Sequence, residues 1–246
     1  MISDAMLTQE YFDTMNSLDG DLAGKRSARA YMDQSSAIVH HRVVGASFIP
    51  RLYNDEVWER FRFISETIHT ILCKVIERYR NDESYRMVFD YDPRLVELIL
   101  LPRGYDAILP FARADIFLNE DTLESAFCEL NGDGSAGLNE DREIVHSIEG
   151  SETFTRFAAH HQLESCELFK SWVSEFIAIY ETFKNKVAHP RFAICDYLDV
   201  GVVDEFRIFS EYFKQAGYEC VIADVRDLSF DGTVLRDGNG QQIDAI

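Results

Sequence analysis

Residues 112–118, Ala-Arg-Ala-Asp-Ile-Phe-Leu, and 125–137, Ser-Ala-Phe-Cys-Glu-Leu-Asn-Gly-Asp-Gly-Ser-Ala-Gly, decide how this chain is read. The first segment belongs to a longer apolar stretch that predicts a strand over 108–118. The second predicts a strand over 125–130, with Ala126, Cys128 and Leu130 on one face and Phe127 and Glu129 on the other. The polar Asn119-Glu120-Asp121 connection between them suggests a hairpin, and a glycine-rich loop follows from Asn131 to Gly137. Glu129 and Asn131 are two residues apart, so on a strand they share a face, and Asp115 on the neighbouring strand can point the same way. Two carboxylates and an amide form a hard-oxygen set suited to Mg²⁺, with waters or phosphate oxygens completing the shell. Arg113, two residues before Asp115, can neutralise a phosphoryl group. A surface ion pair and an ordinary polar turn account for the same residues, so spacing alone leaves both readings open.

A second metal reading competes. Glu129, Asn131, Asp133, Gly134 and Glu140 fall at positions one, three, five, six and twelve of a Ca²⁺-binding EF-hand loop. Against it stand a Glu where Asp is expected, Gly137 at a ligand-related position, and a strand-like approach where an EF-hand has a helix.

Working outward, long amphipathic helices are predicted over 56–80 and 164–184. In the first, Val57, Phe61, Ile64, Ile68, Ile71, Val75 and Tyr79 recur every three or four residues, with Asn54 as a cap. The second carries Phe169, Trp172, Val173, Phe176, Ile177, Tyr180 and Phe183. Residues 8–35 are polar, with only weak helical spacing. Beyond Pro190, a strand over 192–198, a helix over 203–215 closed by Gly217, and a strand over 218–223 make a β-α-β unit with parallel strands. A last hairpin is expected around Asp237-Gly240. Gln242–Ile246 alternates like a strand in progress, which suggests that the chain is a fragment of a longer protein.

The fold class is therefore mixed α/β. Three regions are expected: helical residues 1–105, a metal-binding hairpin with helices over 106–187, and the start of a Rossmann-like substrate domain over 188–246.

The chain of 246 residues carries 24 Lys and Arg against 43 Asp and Glu, a net charge of −19 that disfavours nucleic acid and anionic membranes as partners. No basic, apolar leader opens the sequence, no apolar run is long enough to span a bilayer, and the five scattered cysteines read as reduced thiols. Together these point to the cytoplasm. The adjacent pairs His40-His41 and His160-His161 read as surface residues, and no local nucleophile–base signature is present.

The pattern Arg113-x-Asp115, then Glu129-x-Asn131 after a hairpin, then a glycine-containing loop resembles the metal-binding end of ATP-grasp ligases. Its place ahead of the Rossmann-like segment is similar to the circularly permuted, glutathionylspermidine synthase-like group, with only 113–137 matching specifically. The resemblance implies that Asp115, Glu129 and Asn131 hold the Mg²⁺ ions bridging the phosphates of ATP. It implies that Arg113 contacts the transferred phosphoryl group as a catalytic and cofactor-binding residue. The loop with Ser135 and Gly137 would lie near the acyl phosphate, and Gly201 would border the substrate pocket. The implied activity joins a small-molecule carboxylate to an amine through an acyl phosphate. The alternatives are a non-catalytic binding protein on the same scaffold and a Ca²⁺ module, and a homodimer is left open. The family also needs a lysine-bearing clasp, and none of the six lysines (Lys25, Lys74, Lys170, Lys184, Lys186, Lys214) is placed in a suitable strand, so the fragment alone is expected to be inactive.

Overall fold

The computed structural model describes residues 3–39, 42–132 and 136–246. In chain order its helices are α1 (Asp4–Asn16), α2 (Leu22–Met32), α3 (Asp55–Asn81), α4 (Glu83–Arg86), α5 (Pro93–Leu100), α6 (Leu138–Glu149), α7 (Glu152–Ala158), α8 (Leu168–Glu181) and α9 (Val203–Gln215). The strands are β1 (Ile38–Val39), β2 (Arg42–Val43), β3 (Arg113–Leu118), β4 (Ser125–Asn131), β5 (Arg191–Asp196), β6 (Glu219–Asp224), β7 (Ser229–Phe230), β8 (Leu235–Arg236) and β9 (Gln242–Ile243). Among the described residues helix takes about 47% and strand about 15%, and the strands form only small sheets, so the class is mixed α/β.

The chain divides into two compact units. One contains 1–53, 136–175 and 187–246, the other 54–135 and 176–186.

In the first unit, Leu7, Tyr11 and Phe157 form a core cluster, with the Tyr11 and Phe157 rings edge to face at 5.3 Å. Residues 8–35, expected to show only weak helical spacing, carry most of α1 and all of α2. Asp21 explains part of this. It is buried, accepts from the Gly24 N–H at 2.9 Å to cap α2, and accepts from the Thr153 N–H at 2.9 Å and hydroxyl at 2.7 Å in the first turn of α7. One carboxylate thus satisfies the opening turns of two helices distant in sequence.

The β-α-β unit forms as expected. β5 and β6 pair in parallel from Arg191↔Glu219 to Asp196↔Asp224, and α9 ends before Gly217, whose φ is +91°. Aromatic rings fill the space around α9: Phe169 meets Phe209 with centroids 4.7 Å apart, and Phe192 meets Phe213 at 5.4 Å. The hairpin expected near Asp237–Gly240 is the β8–β9 connection in an antiparallel β7-β8-β9 sheet. After it, Ala245 bridges Phe192 in parallel, so residues 244–246 run beside β5 on the edge opposite β6.

In the second unit, α3 starts on the Asn54 cap and buries Val57, Ile64 and Tyr79. Ile71, placed on the same face by spacing, is 48% exposed instead, because the half-buried positions in that turn are Leu72, Val75 and Ile76. Arg80 donates to the carbonyls of Ile99, Leu100 and Leu101 and so closes the C-terminus of α5.

Candidate functional site

β3 and β4 form an antiparallel hairpin with cross-strand pairs Arg113↔Asn131 and Asp115↔Glu129. Directly opposed residues project from the same face, so all four side chains gather on one side of the ribbon. The predicted strand over 108–118 is shortened to 113–118. The register shifts next to Asp115: Ile116 pairs with Phe127, and Cys128 is the extra residue of a bulge. This corrects the alternation expected for β4. Ala126, opposite Phe117, joins the face of Asp115 and Glu129, whereas Phe127 shares the face of Ile116 and Leu130. Asn131, Glu129 and Asp115 lie on the side of the bulge where regular alternation still holds, so their common face is unaffected.

Two contacts organise this face. Arg113 Nε donates to Asp115 Oδ1 at 2.9 Å, and Asn131 Nδ2 donates to Glu129 Oε1 at 3.1 Å. The Arg113 and Asp115 side chains are 43% and 40% exposed, so the ion pair is open to solvent and to ligands. Among the described residues no group of three or more His, Cys, Asp or Glu could hold a metal ion. The donor set here is two carboxylates and an amide. That is sparse for Ca²⁺ and sufficient for Mg²⁺, which takes one or two carboxylates and completes its octahedron with water and phosphate oxygens. The residues leading into Glu129 are strand β4, so the entering helix of an EF-hand is absent there.

Ser135, with Asp133 and Gly134, lies outside the described residues, as do His40 and His41. Gly137 belongs to the other compact unit. It is the N-cap of α6, with φ at +111°. Its N–H is committed within the protein, donating to Glu205 Oε2 at 3.2 Å, and the Asn139 N–H donates to the same oxygen at 3.0 Å. Glu205 is 2% exposed. Burial pushes its carboxyl above the usual range, and the nearby charge of Glu140 adds to this, against the lowering effect of the backbone donors of 137–139. The sequence offered one signal for this residue: a helix opening on glycine has no cap of its own and must borrow one.

Gly201 follows β5. A Cβ there would come within 2.9 Å of Asp196 Oδ2 and 3.0 Å of the Phe206 ring, so packing alone accounts for the glycine. Nearby, the Arg226 guanidinium holds Asp224 well below the usual carboxylate range and also bonds Asp199 at 2.8 Å. An open cleft of about 710 Å³ lies against β6, lined by Arg191, Leu198, Ala223, Asp224, Asp237 and Asn239 among others.

All six lysines lie on helices or in connections. Lys25, expected in an irregular segment, sits in α2, and Lys184 and Lys186, expected on a helix, follow the end of α8. No described helix is long and apolar enough to cross a membrane. The chain matches no protein-family model and no curated protein sequence.

Proposed function

We propose that this chain carries the metal- and phosphate-binding hairpin of an ATP- and Mg²⁺-dependent carboxylate–amine ligase of the circularly permuted ATP-grasp type. The observation that carries the reading is the single face shared by Arg113, Asp115, Glu129 and Asn131 in two cross-strand pairs, Arg113↔Asn131 and Asp115↔Glu129. On this reading Asp115, Glu129 and Asn131 hold Mg²⁺, which when bound neutralises and orients the phosphates of ATP. Arg113 lies across the ribbon from Asn131. On this reading the Arg113 guanidinium would donate to a phosphoryl oxygen in the planar geometry it favours. The work of these residues is positioning and charge neutralisation, the main part of catalysis in phosphoryl transfer. The hairpin's exposure means that other groups must exclude water from the reacting acyl phosphate.

ADP release with Mg²⁺ and pooled carboxylate and amine substrates tests this. Activity in the complete protein, lost in a folded Glu129→Gln variant, is the expected result, and an active Glu129→Gln protein refutes the assignment. Mn²⁺ bound at the hairpin without turnover would favour a binding protein on the same scaffold.

A further inference from the structure

The β5–β6 sheet has one unpaired edge. The Ala193 N–H donates to the Ala245 carbonyl at 3.0 Å and the Asp244 N–H to the Arg191 carbonyl at 2.8 Å. Odd-numbered residues of β5 therefore turn their main-chain groups toward 244–246, and even-numbered ones turn theirs toward β6. In the parallel register Phe192↔Cys220, the β6 residues that answer them are Glu219, Val221 and Ala223. The main-chain groups of Cys220, Ile222 and Asp224 thus point outward. The Ser210 hydroxyl donates to the Cys220 carbonyl at 2.7 Å. Among the described residues nothing pairs with the N–H or carbonyl of Ile222, or with the N–H of Asp224.

The cleft of about 710 Å³ follows this edge. Its wall includes four consecutive residues, Val221 to Asp224, and successive residues of a strand face opposite ways, so the cleft runs along the strand's edge and not over one face. Its rim is acidic, with Asp224, Asp227 and Asp237 against the single guanidinium of Arg191. That guanidinium is committed to Glu219 and Asp237, each at 2.7 Å, and Arg226 matches Asp224. Asp227 is exposed and has no ion pair among the described residues. The strand has no bulge, proline or lysine to protect its edge. A second copy is disfavoured, because antiparallel self-pairing centred on Val221 and Ile222 would set Glu219 of each copy against Asp224 of the other.

We propose that β6 accepts an extended, basic peptide segment as an added strand. Main-chain bonds to Ile222 and Asp224 hold the segment, and a Lys or Arg side chain beside Asp227 selects its charge. The strand lies in a different compact unit from the β3–β4 hairpin, so the ligase reading can fail without touching this site.

Residue-resolved hydrogen exchange tests it, with the β5 amides as the check on folding. The probes are two pools of blocked octapeptides, one alternating Lys or Arg with Val, Ile or Thr, the other carrying Glu or Asp in place of the basic residues. In the free chain the Ile222 and Asp224 amides should exchange fast beside slow Val221 and Ala223. The basic pool, at about ten times its apparent Kd, should slow both about tenfold. The acidic pool should leave them unchanged, and Asp227→Lys should weaken the basic pool roughly threefold or more. Slow Ile222 exchange in the free chain means that the edge is already paired, and overturns the proposal. Unchanged exchange at about 1 mM basic peptide, equal slowing by the acidic pool, or undiminished binding to Asp227→Lys overturns it as well. Slowing that grows with protein concentration when no peptide is present assigns the edge to a second copy instead.

Discussion

Replacing Asp21 should cost far more than a surface carboxylate normally does. Its side chain makes three hydrogen bonds: the Gly24 N–H at 2.9 Å, the Thr153 N–H at 2.9 Å and the Thr153 hydroxyl at 2.7 Å. Asp21→Ala removes the side-chain cap of α2, worth about 1 kcal/mol, while Ser151 still caps α7. It also leaves the Thr153 donors unpaired where that residue has no solvent exposure, at about 1–3 kcal/mol. The sum is about 2–4 kcal/mol, which for a chain of this length is a fall in Tm of roughly 4–16 °C. Asp21→Asn should lose about half of that, because one amide oxygen can serve one helix while the NH₂ faces a donor at the other. The control is Asp33→Ala, an exposed position at the far end of α2 with the same change of charge. Acid provides a second measure. Burial tends to raise the Asp21 carboxyl, but the bonds from Thr153 and Gly24 and the charge of Lys25 outweigh it and hold the folded-state pKa below its ordinary value. A depressed folded pKa means that this stabilisation is complete above the unfolded carboxyl's pKa of about 4 and disappears as pH falls through the lower folded value. Urea midpoints between pH 7 and pH 2 should therefore converge for parent and Asp21→Asn at the acid end. An Asp21→Ala protein within 0.5 kcal/mol of the parent (about the range of an ordinary surface substitution) refutes the double-cap reasoning.

Two further expectations concern the second unit. Arg80→Ala should destabilise by about 1.5–3 kcal/mol, since it strips a charged donor from three carbonyls at the end of α5; circular dichroism during thermal melting checks it, and an unchanged melt counts against the cap. Gly104→Ala should be costly and Gly132→Ala tolerated. At Gly104 φ is +80° and a Cβ would lie 2.6 Å from the Phe183 ring, whereas at Gly132 nothing lies within 4 Å; expression yield and melting temperature distinguish the two variants.

What was legible in the sequence is what short-range chemistry encodes. Apolar spacing identified α3, α8, α9 and the parallel β5–β6 pair, because each is specified by residues within one or two turns of one another. The same logic put Glu129 and Asn131 on one face and Asp115 opposite. Helices α6 and α7 escaped it because each buries only one apolar residue, Ile148 and Phe157, among polar ones. Asn139, Glu143 and Ser147 recur at helical spacing in α6, and Ser151 and Thr153 open α7, so no apolar stripe announces either helix. Helix α1 buries Leu7, Tyr11 and Met15, an apolar row only one residue wide whose partner Phe157 is distant in sequence. The bulge at Cys128, the double cap by Asp21 and the borrowed cap from Glu205 were decided by tertiary structure alone. The contacts of Asp21 and Glu205 depend on which backbone groups another segment leaves unsatisfied, and those are settled only when segments 66 to 132 residues apart are brought together.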